Sequence, residues 1–220
     1  MESKTSKFII WIALIYAYMF AAILIGYFIE SFHIKNDLLL NIANICGELF
    51  ITLILVLIFR KDFKNKFKEL NNKEGNKILS SSIKIWLCGL FFMVVLNMIL
   101  NFFVHDIAIN EELNRNAINT QTYYAYIAII LFAPICEEIL FRLAVGKFID
   151  NKYLFIIFSG LLFGFAHVVG TTGLQALYIL PYAALGMSFA TIYYKSKNIL
   201  CSIMMHALHN LMCIILIFII

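Results

Sequence analysis

Charge is what this 220-residue chain has least of: Asp, Glu, Lys and Arg make up 14% of it, against about 25% in soluble domains. Proline is nearly absent, at two residues, and ten glycines follow no repeat, which excludes collagen-like and disordered classes. Five cysteines are too few and odd in number for a disulfide framework, and no pair has metal-ligand spacing. Cys46, Cys88, Cys136, Cys201 and Cys213 lie in or at the edge of apolar runs and read as small buried hydrophobes. Seventeen basic residues against thirteen acidic leave a scattered +4, too little for a nucleic-acid partner. Apolar residues fill the space: 63% of the chain is hydrophobic and its mean hydropathy is +0.90. One globular core of this length cannot hide so much, and the chain reads as an integral membrane protein whose partner is the lipid bilayer.

A membrane span needs about 20 mostly apolar residues. Seven runs qualify, at 8–29, 38–59, 83–104, 123–146, 153–171, 174–194 and 198–220. A re-entrant turn at 170–173 would add an eighth membrane element. Helices are expected because the bilayer leaves backbone groups no outside partner. The fold class is therefore all-α, a polytopic membrane bundle. Lys4 and Lys7 precede a first run longer than the apolar core of a signal peptide, so it reads as an uncleaved span. With the N-terminus cytoplasmic, the inner segments hold two basic residues before the first run, seven from 60 to 77, two at Lys147 and Lys152, and two at Lys195 and Lys197. That makes thirteen, against only Lys35 and Arg115 outside, the asymmetry expected of a multi-pass cell-membrane protein. The organisation divides into N-terminal spans over 1–122, with a basic cytoplasmic loop at 60–77, and a helical core over 123–220.

Charged side chains near the bilayer centre cost roughly 2.5–3.5 kcal/mol and usually face a cavity and one another. The late spans carry several. Glu138 and Arg142 are spaced i, i+4 in the favourable order for an ion pair. Glu137 lies about 100° further round and needs a partner on another helix. Pro134, one turn earlier, has no N–H and frees a carbonyl beside the carboxylates. On the next run Phe163 and His167 share a face, and Gly160 and Gly164 allow a neighbouring helix to approach. His206 and Asn210 share a face of the last run, with His209 at its edge. His33 and His105 fall in connecting segments and read as surface residues.

A carboxylate and an imidazole can together take a proton from water attacking a carbonyl. A second imidazole and an amide can donate hydrogen bonds to the oxyanion that forms. Glu137, His167, His206 and Asn210 supply those parts for peptide-bond hydrolysis. Rival protease chemistries lack their motifs: no His-Glu-x-x-His, no Gly-x-Ser-Gly and no Gly-x-Gly-Asp occurs. Cys136 adjoins Glu137 but points elsewhere on a helix. Two other readings fit the same cluster, a non-enzymatic scaffold or immunity protein and a transporter relaying protons.

Glu137-Glu138-x-x-x-Arg142, Phe163-x-x-x-His167 and His206-x-x-x-Asn210, in that order over residues 123–215, resemble the CAAX prenyl protease and bacteriocin-processing (CPBP, or Abi) family of intramembrane endopeptidases. Leu143 stands where many members have glycine. The resemblance implies that Glu137 activates water with His167, that His206 and Asn210 stabilise the oxyanion, and that Glu138, Arg142 and Phe163 shape the site. It implies as substrate a peptide or protein in or at the membrane, of the kind represented by leader peptides, or a role in bacteriocin self-immunity. No cofactor is firmly implied. If a metal is used, Zn2+ on Glu137, His167 and His206 is the expected arrangement, and Asn210 as a poor zinc ligand tilts the reading to the metal-free mechanism. The abundance of Ile, Asn and Lys suggests a bacterial source of low GC content.

Overall fold

The computed structural model describes residues 3–104 and 107–219. His105 and Asp106, and the last residue of the seventh apolar run, lie outside the described residues. Among those described there is no strand. Helix α1 (Lys4–Ser31) is opened by Ser3, whose hydroxyl accepts from Ser6 N–H, and α2 (Asp37–Ile58) by Asn36 accepting from Leu39 N–H. Helix α5 (Lys73–Leu100) begins in the same way at Asn72. With a 3-10 turn (Gly173–Tyr178) running into α10 (Ile179–Ser196), and with α11 (Ile199–Ile219), these make five helices long and apolar enough to cross a membrane. Helix α9 (Lys152–Val168) is apolar but has only 17 residues, about 25 Å of rise.

The remaining crossing, residues 122–147, is a composite rod. It consists of α7 (Thr122–Ile127), a π-helical turn (Ala128–Phe132), α8 (Ala133–Glu138), a second π turn (Ile139–Leu143) and a 3-10 turn (Val145–Lys147). The chain is thus a polytopic all-α membrane protein. Its π turns bracket Pro134, Glu137 and Glu138, and such turns gather at functional sites.

Several expectations are corrected. The basic 60–77 segment is not a loop: it holds α3 (Arg60–Phe63) and α4 (Lys66–Leu70), and α5 starts ten residues before its apolar run. Asn198 secures α4 by donating to the Lys66 carbonyl at 2.9 Å. The segment before 122 contains α6 (Ile109–Thr120), a polar helix with buried Ile118. No eighth membrane element forms at 170–173, where Gly170 and Gly173 at φ +85° and +63° make a tight turn. Of the cysteines, only Cys136 and Cys201 are buried, while Cys46 and Cys88 are exposed. An apolar run does not say which side of a helix meets protein and which meets lipid.

Helix α10 is the central strut, packed on α9, α5 and α11. Two glycines make the α9 contact possible. A Cβ on Gly160 would stand 2.8 Å from Met187 N, and one on Gly164 2.6 Å from the Ile179 carbonyl. On the other side of the composite rod, α1 reaches in through Trp11, whose indole N–H donates to the Leu140 carbonyl at 2.9 Å. That carbonyl lies in the second π turn, where Ala144 N–H has shifted to the Ile139 carbonyl.

Candidate active site

Glu138 and Arg142 are completely buried and form the expected pair, with Arg142 Nε 3.3 Å from Glu138 Oε2. Burying two charges is costly, and both acquire further partners, although Arg142 Nη1 has no hydrogen bond among the described residues. Arg142 donates to the Gly186 carbonyl at 3.1 Å and lies 4.6 Å over the Phe163 ring, a cation–π contact. Glu138 takes a hydrogen bond from the Ser202 hydroxyl, and its other oxygen meets His206 Nδ1 at 3.0 Å.

That last contact fixes the imidazole. A carboxylate oxygen only accepts, so His206 carries its hydrogen on Nδ1 and turns Nε2 forward as a lone pair. His167 is arranged in the same way by a different anchor: its Nδ1 faces the Phe163 carbonyl at 2.8 Å, so that nitrogen donates and Nε2 is again bare. Aromatic faces hold both rings. His167 lies between Phe163 and Tyr182, with centroids at 4.3 and 4.6 Å, and His206 stacks on Phe189 at 4.7 Å.

The two bare nitrogens point at one atom. Glu137 Oε2 lies 4.0 Å from His167 Nε2 and 3.9 Å from His206 Nε2, and it is buried without a hydrogen-bond partner of its own. Helical spacing therefore brings Glu137, His167 and His206 together, although α9 is short; His167 sits in its last turn. All three line a cavity of about 430 Å³, with Asn210, His209 and Tyr182 around it and α6 over one end.

Asn210 has a second duty. The first π turn directs Ala133 N–H to the Ala128 carbonyl, five residues back. The next carbonyl in that register, Ile129, would pair with residue 134, which is proline. Asn210 Nδ2 fills the gap by donating to the Ile129 carbonyl at 2.7 Å. One amide hydrogen is committed there, and the other remains for the cavity. Cys136 faces away, towards Thr52 on α2 at 3.3 Å.

A single zinc ion does not fit the donors as placed. Zinc bonds of about 2.0–2.1 Å set tetrahedral neighbours about 3.3 Å apart, closer than Glu137 stands to either imidazole. Among the described residues no group of three His, Cys, Asp or Glu is placed to hold a metal. A water molecule suits the spacing better, since two hydrogen bonds of about 2.8 Å at a right angle span about 4 Å.

Sequence reasoning missed Ser202, the Gly186 carbonyl, Phe189 and Tyr182. Ser202 lies four residues before His206, a spacing that signals a shared face once Glu138 is known to need donors. Nothing in side-chain pattern announces a backbone acceptor such as Gly186.

Residues 119–212, which contain every one of these side chains, match the family model of the type II CAAX prenyl endopeptidase Rce1-like proteins. Over those residues the chain is similar to that family. Among its relatives, an uncharacterized protein of Mycoplasma capricolum is 30% identical over 200 residues, covering 84% of the present chain and 56% of the relative. The UPF0177 protein YxdF of Lactococcus lactis is 28% identical over 173 residues, covering 73% and 89% respectively. The UPF0177 protein YbdI of the same organism is 28% identical over 143 residues, covering 60% and 75%. The chain thus spans little more than half the length of the Mycoplasma relative. No solved structure matches it.

Proposed function

We propose that the chain is a metal-independent intramembrane endopeptidase that hydrolyses a peptide bond in a membrane-associated peptide or protein, with Glu137 as the base. The observation that carries this reading is the partnerless, buried Oε2 of Glu137 facing two imidazole nitrogens whose tautomers are set by Phe163 and Glu138. Three acceptors aimed at one point demand hydrogen, and water supplies it. The attacking water gives one proton to Glu137 while His167 Nε2 accepts its other hydrogen bond. Its oxygen bonds to the scissile carbonyl carbon. The oxyanion that develops is met by the uncommitted Asn210 hydrogen, while His206, anchored by Glu138 and with Nε2 as a lone pair, stands beside the attacking water. The C–N bond then breaks, and the proton held by Glu137 passes to the departing amine. Buried Arg142 and Phe163 keep Glu138 and the two rings in line.

The test uses the full chain purified in detergent and offered peptide and lipidated-peptide substrates. Glu137→Gln should lower turnover by at least about a hundredfold, and a strong zinc chelator should leave the wild type unaffected. Turnover retained by Glu137→Gln, or lost to chelator, ends this reading. A cellular phenotype that survives Glu137→Gln points to a scaffold.

A further inference from the structure

On the outer side of the α5–α10 pair, facing away from the catalytic chamber, lies a second concavity of about 520 Å³. Its walls are the backs of the two helices: Tyr182 and Leu185 of α10 turn to the chamber, whereas Met187, Thr191 and Lys195 line this groove. Two features give it chemistry. The first is a pair of cations on neighbouring helices, Lys84 of α5 and Lys195 of α10, both exposed and both lining the groove. Neither has an ion pair among the described residues, and no carboxylate lines the groove beside them. Two uncompensated ammonium groups sharing one recess repel each other and call for an anion between them. The second feature is the floor. Gly89 meets Ser188 so closely that a Cβ on the glycine would stand 2.4 Å from the serine side chain. The helices cross in contact there, and the recess above runs along Cys88, Phe92 and Met187 as an apolar channel.

We infer that this groove binds an anionic phospholipid, with its phosphate between Lys84 and Lys195 and one acyl chain along Cys88 and Phe92. Charge complementarity selects the headgroup, and basic recesses between membrane helices at the lysine-rich side are where such headgroups bind. Length fits as well: Lys84 lies eight residues from Phe92, about 12 Å along the helix. Lys84 is the one lysine within a predicted span, and a phosphate explains a position that hydrocarbon alone penalises. The site is separate from hydrolysis and stands whether or not the chain cleaves peptides.

Cys88 is a built-in reporter and exposed Cys46, on α2, its internal control. The full chain in a neutral detergent is titrated with phosphatidylglycerol, phosphatidylcholine or inorganic phosphate while maleimide labelling of both cysteines and thermal unfolding are followed. Phosphatidylglycerol should slow labelling of Cys88 but not of Cys46 and raise the unfolding midpoint; the other two should do neither. Lys84→Ala with Lys195→Ala should weaken the phosphatidylglycerol response about tenfold or more, whereas Lys61→Ala with Lys64→Ala should leave it unchanged. Equal protection by phosphatidylcholine reveals ordinary boundary lipid, and stabilisation by phosphate alone a free-anion site. Either result, or a response unchanged in the Lys84/Lys195 variant, overturns the inference. Labelling of the wild type decides between these outcomes even if the double variant fails to fold.

Discussion

Glu137 and Glu138 are consecutive in the chain and carry opposite burdens. Glu138 is fully buried and engaged by Arg142, Ser202 and His206, so its negative charge is part of what holds the composite rod to α11. Among the described residues the buried Oε2 of Glu137 has no hydrogen-bond donor, so stability gains little from its charge. The two residues should therefore separate cleanly under mutation. Arg142→Ala strands a buried carboxylate and should destabilise the protein by about 3–5 kcal/mol, read as a fall in the unfolding midpoint in detergent. Glu137→Gln should change stability by less than about 0.5 kcal/mol in the same measurement. The i, i+4 spacing of Glu138 and Arg142 was legible in sequence. The contact from Glu138 to His206 was not, because adjacency gave no hint that Glu138 reaches His206 Nδ1 while Glu137 stands before Nε2 of the same ring.

At the scale of elements, the composite rod depends on side chains that replace missing backbone bonds. Trp11 serves the Leu140 carbonyl, Ser159 the Phe141 carbonyl at 2.7 Å, and Asn210 the Ile129 carbonyl that Pro134 cannot serve. The last of these is open to a double-mutant cycle. Asn210→Leu leaves a buried carbonyl unpaired and should cost about 1–3 kcal/mol. In a Pro134→Ala background residue 134 regains its N–H, and the same Asn210→Leu change should cost about 1 kcal/mol less. Activity supplies the second readout: if Asn210 also meets the oxyanion, turnover stays low in the double variant although stability recovers. Pro134 as the origin of a freed carbonyl could be read from sequence. The π turns could not, because they arise where tertiary contacts outbid the i, i+4 ladder, and no local pattern records that contest.

At the scale of the whole molecule, hydropathy located the crossings because lipid forces every backbone group to bond internally. It failed at α3, α4 and α6, whose polar sequences carry no apolar period, and at the face each cysteine presents. Lysine asymmetry sets an expectation for orientation that can be measured. In a chain with exposed Cys46 and Cys88 changed to serine, Asn119→Cys on α6 should react with an impermeant maleimide on intact cells. Lys64→Cys should react only after permeabilisation. The reverse pattern inverts the arrangement and puts α6, which covers one end of the chamber, on the other side of the membrane.

The convergence of Glu137, His167 and His206 has a consequence for selectivity. A hydrocarbon tail that strays from the bilayer into the mouth of the chamber has no hydrogen to offer that trio, whereas a water molecule has, so the trio favours solvent over the tail. For the hydrolase proposed here, the ester linkages of the surrounding bilayer, present in vast excess over any polypeptide, are kept from the reacting centre by thirst alone.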